Sequence, residues 1–163
     1  LKLVEKISFE DLQVKDLRKE KIGIFASQIA KISELREKLN VKQVAFAKKM
    51  VKLKGGCILD GRDIGTRIIP DAEIKFFIVA SIQTRVERRL KEFKYNKLSK
   101  KKQGILYNDI FQKIKLRDEN DYNRDISPLK MAIDAIKIDT SQLTPQEVEM
   151  IAIKHINEKN IKK

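Results

Sequence analysis

The sequence predicts an α/β fold with a parallel sheet, because two short apolar runs alternate with helical segments. Residues 57–59 form an apolar run that ends abruptly in the charged stretch 60–63, as a buried strand does where it leads into a loop. Residues 74–80 are a second, nearly continuous apolar run, which is typical of a parallel strand buried on both faces. Helical apolar spacing lies before the first run and after the second, where a third strand candidate at 135–139 also stands between two helical segments. This alternation favours helices layered on a sheet.

The size and the cysteine content of the chain indicate one domain from a reducing compartment. Its 163 residues, 42% of them hydrophobic, suffice for a domain with a core. The one cysteine, Cys57, excludes an internal disulfide, and its place in an apolar run predicts a packed core thiol. No apolar run approaches the ~18 residues of a membrane span, so we expect a cytoplasmic protein without a membrane partner.

The charge of the chain raises the question of a polyanionic partner. Lys and Arg outnumber Asp and Glu by 36 to 23, which gives a formal charge of +13. The basic residues are spread along the whole chain, however, and no aromatic side chains alternate with them to form a platform for nucleic-acid bases. A basic nucleic-acid-binding module is therefore an alternative hypothesis and not the leading one.

The first third of the chain predicts helices. A weak strand-like alternation at residues 6–10 is followed by helical apolar spacing over 22–32. Ser33 is the predicted N-cap of a second helix. The Lys-Gly-Gly sequence at 54–56 is predicted to end that helix before the first strand.

The second half of the chain alternates helices and strands. After an N-cap at Ser81, residues 91–103 are basic with few apolar side chains, which indicates a mobile surface segment. Apolar spacing predicts a helix over 107–124, a strand over 135–139 and a helix from Pro145 onward. The inward-facing residues of that last helix are predicted to be Val148, Ile151, Ala152 and Ile156.

A charged loop follows the first predicted strand. Residues 60–63 read Asp-Gly-Arg-Asp, and ligands of open α/β sheets bind beyond the carboxyl ends of the strands. Two carboxylates and a guanidinium suit a phosphate-bearing ligand with its metal, and Gly61 has no Cβ to hold that ligand away. A strand end with a local Asp–Arg ion pair and a turn glycine explains the same residues equally well.

A second charged group lies on the helix predicted over 107–124. Arg117, Asp121 and Arg124 have the spacing i, i+4, i+7, which places them on one helical face. Arginine forks bind an anion and a carboxylate accepts from a sugar diol, so this face suits a nucleotide. The alternative is an exposed Arg117–Asp121 pair, which would contribute only ~0.3–0.5 kcal/mol.

Several separated motifs resemble the bacterial cytidylate kinase family of the nucleoside monophosphate kinase group. These motifs are DGRDIGTRIIPDAEIKFFIVAS, RVERR, LRDENDYNR and PLKMAIDAIKIDTSQL, and the resemblance extends from about Leu17 to the C-terminal helix. It implies a P-loop NTPase-type three-layer fold with a parallel sheet, and transfer of the γ-phosphoryl of ATP to CMP or dCMP with Mg²⁺. It also implies two domains: residues 1–54 as the remainder of a CMP-side insert with a helical CMP-binding region, and residues 55–163 as the α/β core.

The resemblance implies a substrate-binding role for residues in both domains. The base of CMP would meet Ser27, Arg36 and Asp63. The phosphate of CMP would be held by Arg62 and Arg124, and its sugar by Arg117 and Asp121.

The resemblance also implies a catalytic role for a lid segment over about 85–106 and for one carboxylate. The lid would close over ATP and stabilise charge on the transferred phosphoryl group through Arg85, Arg88 and Arg89. Asp60 would order the magnesium ion through water. A complete enzyme of this kind is expected to be a monomer.

The sequence departs from the family at the phosphate loop. Its six glycines form no G-x-x-x-x-G-K, the loop whose backbone N–H groups and lysine cradle the ATP phosphates. The N-terminal phosphate-loop strand and helix are therefore expected to be missing, which would leave the apolar edges of the strands at 57–59 and 74–80 unpaired. We expect this chain by itself to form no ADP from ATP and CMP. A decayed relative that binds nucleotide without turnover is the alternative.

Overall fold

The computed structural model describes residues 32–93 and 95–159. The chain divides into two compact units, Leu1–Asp60 and Gly61–Lys163. The strand-like segment at 6–10, most of the helix predicted over 22–32 and the predicted base contact Ser27 lie outside the described residues. Among the described residues, no helix has the length and apolar character needed to cross a membrane.

Helix α1, Ser33–Lys54, is the main element described in the first unit. It ends as predicted at Gly55, whose φ of 77° is the left-handed conformation that a residue without Cβ adopts at low cost. The N–H of Gly55 donates to the carbonyl of Val51 over 3.0 Å. The predicted N-cap Ser33 is wrong: Ile32 occupies that position, since its carbonyl accepts from the N–H of Arg36, and no side chain caps the helix.

The strand predicted at 57–59 is wrong. These residues are irregular, the side chain of Ile58 is 96% exposed, and Cys57 is an exposed free thiol and not a core residue. A strand needs a neighbour for its backbone hydrogen bonds, and in the described part of the chain the one sheet has two strands, neither of which pairs with 57–59.

The sheet of the second unit is parallel, as predicted. Strand β1, Phe76–Val79, pairs with strand β2, Ile136–Asp139. The ladder extends past both ends, because the N–H of Ile136 donates to the carbonyl of Lys75 and that of Thr140 to the carbonyl of Val79, each over 2.8 Å. The predicted α/β fold with a parallel sheet is therefore confirmed.

The predicted burial of β1 on both faces is wrong in one respect. The side chain of Ile78 is 53% exposed, whereas its partner in the register, Ile138, is 4% exposed. Among the described residues, the face of β1 that carries Ile78 is therefore largely open.

Helix α2, Ile82–Leu90, and helix α3, Lys100–Asn123, pack against each other around a buried apolar cluster. The buried members of this cluster are Val86, Leu90 and Ile110. The predicted cap of α2 is confirmed, because Ser81 Oγ accepts from the N–H of Thr84 over 3.1 Å.

Helix α3 begins before the predicted residue 107, and the predicted mobile segment 91–103 is correspondingly too long. A 3₁₀ turn, Tyr95–Lys97, precedes it, and Gln103 Nε2 donates to the carbonyls of Tyr95 and Leu98. These bonds tie the first turn of α3 to the preceding loop. Residues 100–102 are exposed lysines, so the first turn lacks the inward apolar residue by which a helix is recognised in sequence.

Helix α4, Pro145–Glu158, starts as predicted and has a capping box. Thr144 Oγ1 accepts from the N–H of Glu147, and Glu147 Oε2 accepts from the N–H of Thr144. The predicted inward face is confirmed, because its residues are partly buried while most of their neighbours are exposed: Val148, Ile151, Ala152 and Ile156.

Candidate functional site

The charged loop that opens the second unit is folded tightly by its glycines. It continues from Gly61 into a single π-helical turn, Ile64–Ile68, in which the carbonyl of Asp63 accepts from the N–H of Arg67 and of Ile68. A Cβ at Gly61 would lie 2.9 Å from Cγ1 of Ile64, so this position has no room for a side chain. Asp63 is 4% exposed, which places the second carboxylate of the loop inside the protein.

Lys75 anchors the far end of this loop. Its side chain is 7% exposed, and its ammonium group donates to the carbonyl of Pro70 over 2.5 Å and to Asp134 Oδ2 over 2.6 Å. A Cβ at Gly65 would lie 3.1 Å from Cδ of Lys75, so the turn packs directly on the lysine stem. The hydrogen bond from Lys75 holds the pKa of Asp134 below its ordinary value.

Asp121 is the centre of the charged cluster on α3. It is 8% exposed; its Oδ2 accepts from Arg62 Nε over 2.9 Å, and Arg124 Nη1 lies 3.7 Å from its Oδ1. Arg124 Nε also donates to the carbonyl of Ser127. The carbonyl of Asp121 accepts from the N–H of Leu129 over 2.7 Å, which fixes the end of α3. The structure thus brings together three residues that the sequence analysis selected from two separate motifs.

Arg117 lies on the same helix but is exposed, and within the described residues it forms no ion pair with Asp121. The exposed i, i+4 pair that could have explained this motif is therefore not formed. Instead, the carboxylate of Asp121 forms ion pairs with Arg62 and Arg124. The side chain of Arg117 is exposed to solvent.

The inward face of α3 changes from apolar to acidic along its length. Ile110 and Ile114 contact the apolar cluster with α2, and Asp118 and Asp121 follow on the same side of the helix. Asp118 receives both ends of the Arg85 fork, with 2.8 Å from Nη1 to Oδ1 and 2.6 Å from Nη2 to Oδ2. The hydrogen bond to Asp118 is the main reason that the pKa of Arg85 is raised.

The other two arginines of α2 have different partners. Arg88 donates to Thr140 Oγ1 over 3.0 Å and to the carbonyl of Thr140, directly after β2. Arg89 forms an i, i+3 ion pair with Glu92 near the surface. The three predicted lid arginines therefore point to three separate partners.

Two of the predicted site residues that the structure describes lie in the first unit. Arg36 is in the first turn of α1, and Asp60 is an exposed residue at the end of that unit. In the described part of the chain, no group of three acidic, histidine or cysteine side chains is arranged to hold a metal ion.

Comparison with known proteins identifies the family to which these motifs belong. The family model for cytidylate kinase matches residues 4–158. The chain belongs to the cytidylate kinase family. It is 38% identical over 145 residues to a cytidylate kinase of Bacillus pumilus, and 42% identical over 139 residues to one of Caldicellulosiruptor saccharolyticus. A cytidylate kinase of Caldicellulosiruptor bescii is 35% identical over 164 residues.

The chain is shorter than these cytidylate kinases. The alignments cover 88%, 85% and 90% of this chain but 60%, 57% and 68% of the respective relatives. The chain thus spans about three fifths of the length of the first two cytidylate kinases that it matches.

Three residues of this member of the cytidylate kinase family join the site without having been selected from the sequence. Asp118 holds Arg85, Lys75 anchors the charged loop, and Ser127 presents its carbonyl to Arg124 from a backbone with φ of 54°. Only Asp118 carried a sequence signal: it continues the inward apolar stripe of α3, where an unpaired carboxylate would be costly.

Proposed function

We propose that the chain binds CMP or dCMP and provides the acceptor half of the site for phosphoryl transfer from ATP. The observation that carries this proposal is the cluster of Arg62 and Arg124 around the buried carboxylate of Asp121. One buried aspartate aligns two arginines from separate elements. Forked guanidinium donors suit the geometry of a phosphate.

The remaining substrate contacts are assigned to neighbouring residues. Arg117 is exposed on the same helix and is proposed to meet the sugar, together with Asp121. Ser27, Arg36 and Asp63 are proposed to contact the cytosine base, an assignment that rests on the family motifs. Arg85, Arg88 and Arg89 are proposed to face ATP, where positive charge would stabilise the transferred phosphoryl group without any covalent step by the protein.

Magnesium is proposed to arrive with ATP. Mg²⁺ keeps several waters and is usually bound through one or two carboxylates and the substrate phosphates. Asp60 is the carboxylate proposed to hold one of its waters.

The proposed location is the cytoplasm, which nucleotide substrates and a single cysteine without an internal disulfide support. We also propose that the protein is a monomer.

The test is a calorimetric titration of CMP into the full chain and into the variant Arg124→Ala. We expect saturable binding by the wild type and at least a roughly tenfold loss in the variant, because a charge-assisted hydrogen bond contributes about 1.5–3 kcal/mol. Lys130→Ala is the matched control, since it removes one exposed positive charge six residues further on. Equal binding by all three proteins would overturn the assignment of Arg124.

Two further outcomes distinguish the alternatives. Binding of a short DNA duplex that weakens steeply with salt, together with no CMP signal, would favour the nucleic-acid hypothesis. We predict that this chain does not catalyse phosphoryl transfer, because its sequence has no G-x-x-x-x-G-K motif. ADP formation from ATP and CMP by the purified chain would contradict that prediction.

A further inference from the structure

We propose that Asp118 is a positioning residue, which holds Arg85 so that its guanidinium contacts the phosphoryl group being transferred. This inference rests on the proposed function, because it needs a nucleotide in the site. Its geometric basis is the two-point contact between the Arg85 fork and both carboxylate oxygens, at 2.8 Å and 2.6 Å. A contact at one point would leave the guanidinium plane free to rotate, whereas two parallel bonds fix it.

The pairing leaves Arg85 able to bind a second anion. A guanidinium has five N–H groups, and Asp118 uses one on each terminal nitrogen. The outer N–H of each terminal nitrogen is directed away from the carboxylate. The arginine side chain is 35% exposed and that of Asp118 is 30% exposed, so solvent, or a ligand in its place, reaches this pair.

The position of Asp118 links the two halves of the proposed site. It directly follows Arg117, and Asp121 lies one helical turn further along α3. The carboxylates of one helix thus hold an arginine of α2, through Asp118, and two arginines of the acceptor cluster, through Asp121. Helix α3 thereby sets the spacing between the arginine on the ATP side and the arginines on the CMP side.

A purely structural ion pair between α2 and α3 is the competing explanation. The two helices already share a buried interface through Val86, Leu90 and Ile110, of which Val86 is completely buried. A partly exposed pair next to such an interface adds little to stability. The structural explanation predicts a change in the free energy of unfolding and none in ligand preference. The positioning role predicts a change in ligand preference and little change in the free energy of unfolding.

The experiment compares CDP with CMP as calorimetric ligands of the full chain. The β-phosphate of CDP is the transferred group, so the ratio of the two affinities reports contacts to that group and needs no bound ATP. We expect the wild type to bind CDP more tightly than CMP by about tenfold, and Asp118→Asn to lose most of that preference while its affinity for CMP stays unchanged.

Glu119→Gln is the matched control. It removes a carboxylate from the next position of α3, where Glu119 is exposed and lies 4.0 Å from Lys115. We expect its preference for CDP to equal that of the wild type. In an Arg85→Ala background, Asp118→Asn should cause no further loss, because Asp118 acts through Arg85.

Several outcomes would overturn the positioning role. They are an unchanged or tighter binding of CDP by Asp118→Asn, an equal loss for CMP and CDP, or a further loss in the Arg85→Ala background. If Asp118→Asn does not fold, Arg85→Lys, which keeps the charge but not the fork, must show the same selective loss for CDP. Absence of CMP binding by the folded wild type would instead refute the proposed function, and with it this inference.

Discussion

Asp121 Oδ2 accepts a hydrogen bond of 2.9 Å from Arg62 Nε, across 59 residues of sequence. The bond joins the charged loop that opens the second unit to the end of α3. Because Asp121 is 8% exposed, its carboxylate depends on arginine partners for the interactions that water would otherwise supply. The geometry of the proposed phosphate site therefore depends on one buried carboxylate.

Replacing this carboxylate should affect both binding and stability. We expect Asp121→Asn to weaken CMP binding by at least about tenfold and to lower the free energy of unfolding by about 1–3 kcal/mol, since Arg62 and Arg124 lose a charged acceptor. Calorimetry and urea unfolding measure the two effects. Asp125→Asn, at an exposed position just after α3, should change neither. Unchanged CMP affinity in Asp121→Asn would contradict the central role of this residue.

Replacing glycine by alanine should change the stability in opposite directions at two positions. Gly65→Ala should destabilise the protein by about 1 kcal/mol, because the new Cβ would lie 3.1 Å from Cδ of Lys75, whose ammonium is held by two partners. Gly104→Ala should stabilise it by about 0.5–1 kcal/mol, because Gly104 lies inside α3 with no atom near its added Cβ. Urea unfolding of both variants checks this pair, and a shift in the same direction would contradict it.

The two helix starts also predict different responses to loss of a hydroxyl. Thr144→Ala should lower the free energy of unfolding by about 1 kcal/mol, because it removes the side chain that caps α4. Ser33→Ala should have an effect within about 0.5 kcal/mol, because Ser33 makes no capping bond in α1. Chemical denaturation measures both, and a larger effect for Ser33→Ala would mean that the start of α1 is wrongly placed.

The Lys75–Asp134 pair predicts a specific loss of stability in acid. The pKa of Asp134 is lowered in the folded protein, chiefly by its hydrogen bond from Lys75, so protonation favours the unfolded chain. Its contribution is fully present above the ordinary value of 3.8 and is lost as the pH falls through the lower folded value. We expect Asp134→Asn to reduce the fall of the urea midpoint as the pH is lowered from neutral through and below 3.8.

Part of that acid dependence should remain in the variant. The pKa values of Asp139 and Glu147 are also lowered, by hydrogen bonds from Ser141 and Thr144 respectively. Asp71→Asn replaces a carboxylate at another exposed position and serves as the control. An acid dependence identical in wild type and Asp134→Asn would show that the pair does not contribute to stability.

Local sequence patterns predicted the ends of helices correctly where the contacts that stabilise those ends are themselves local. The start of α2 at Ser81, the capping box of Thr144 and the end of α1 at Gly55 each depend on residues within one helical turn. The apolar runs also located β1 and β2. The apolar run at 57–59 predicted a third strand wrongly, because a strand is defined by its neighbours, which a local pattern does not contain.

The sequence predicted which motifs form the site, but not which side chains pair with each other within it. Helical spacing placed Asp121 and Arg124 on one face, and the structure adds Arg62 to them. The pairs Arg85–Asp118 and Lys75–Asp134 join residues separated by 33 and 59 positions, so no periodicity within one element could reveal them. Which arginine a carboxylate holds is decided by the packing of helices, strands and loops.

Base selectivity in nucleotide binding tests the proposed cytosine-nucleotide site most directly. CMP, UMP and AMP share a phosphate and a ribose, so a difference among them reports contacts to the base alone. We predict saturable binding that favours CMP over AMP, and loss of that preference in the double variant Arg36→Ala, Asp63→Ala. Equal affinities for CMP and AMP in the folded wild type, or a double variant with unchanged preference, would contradict a cytosine-nucleotide site in this chain.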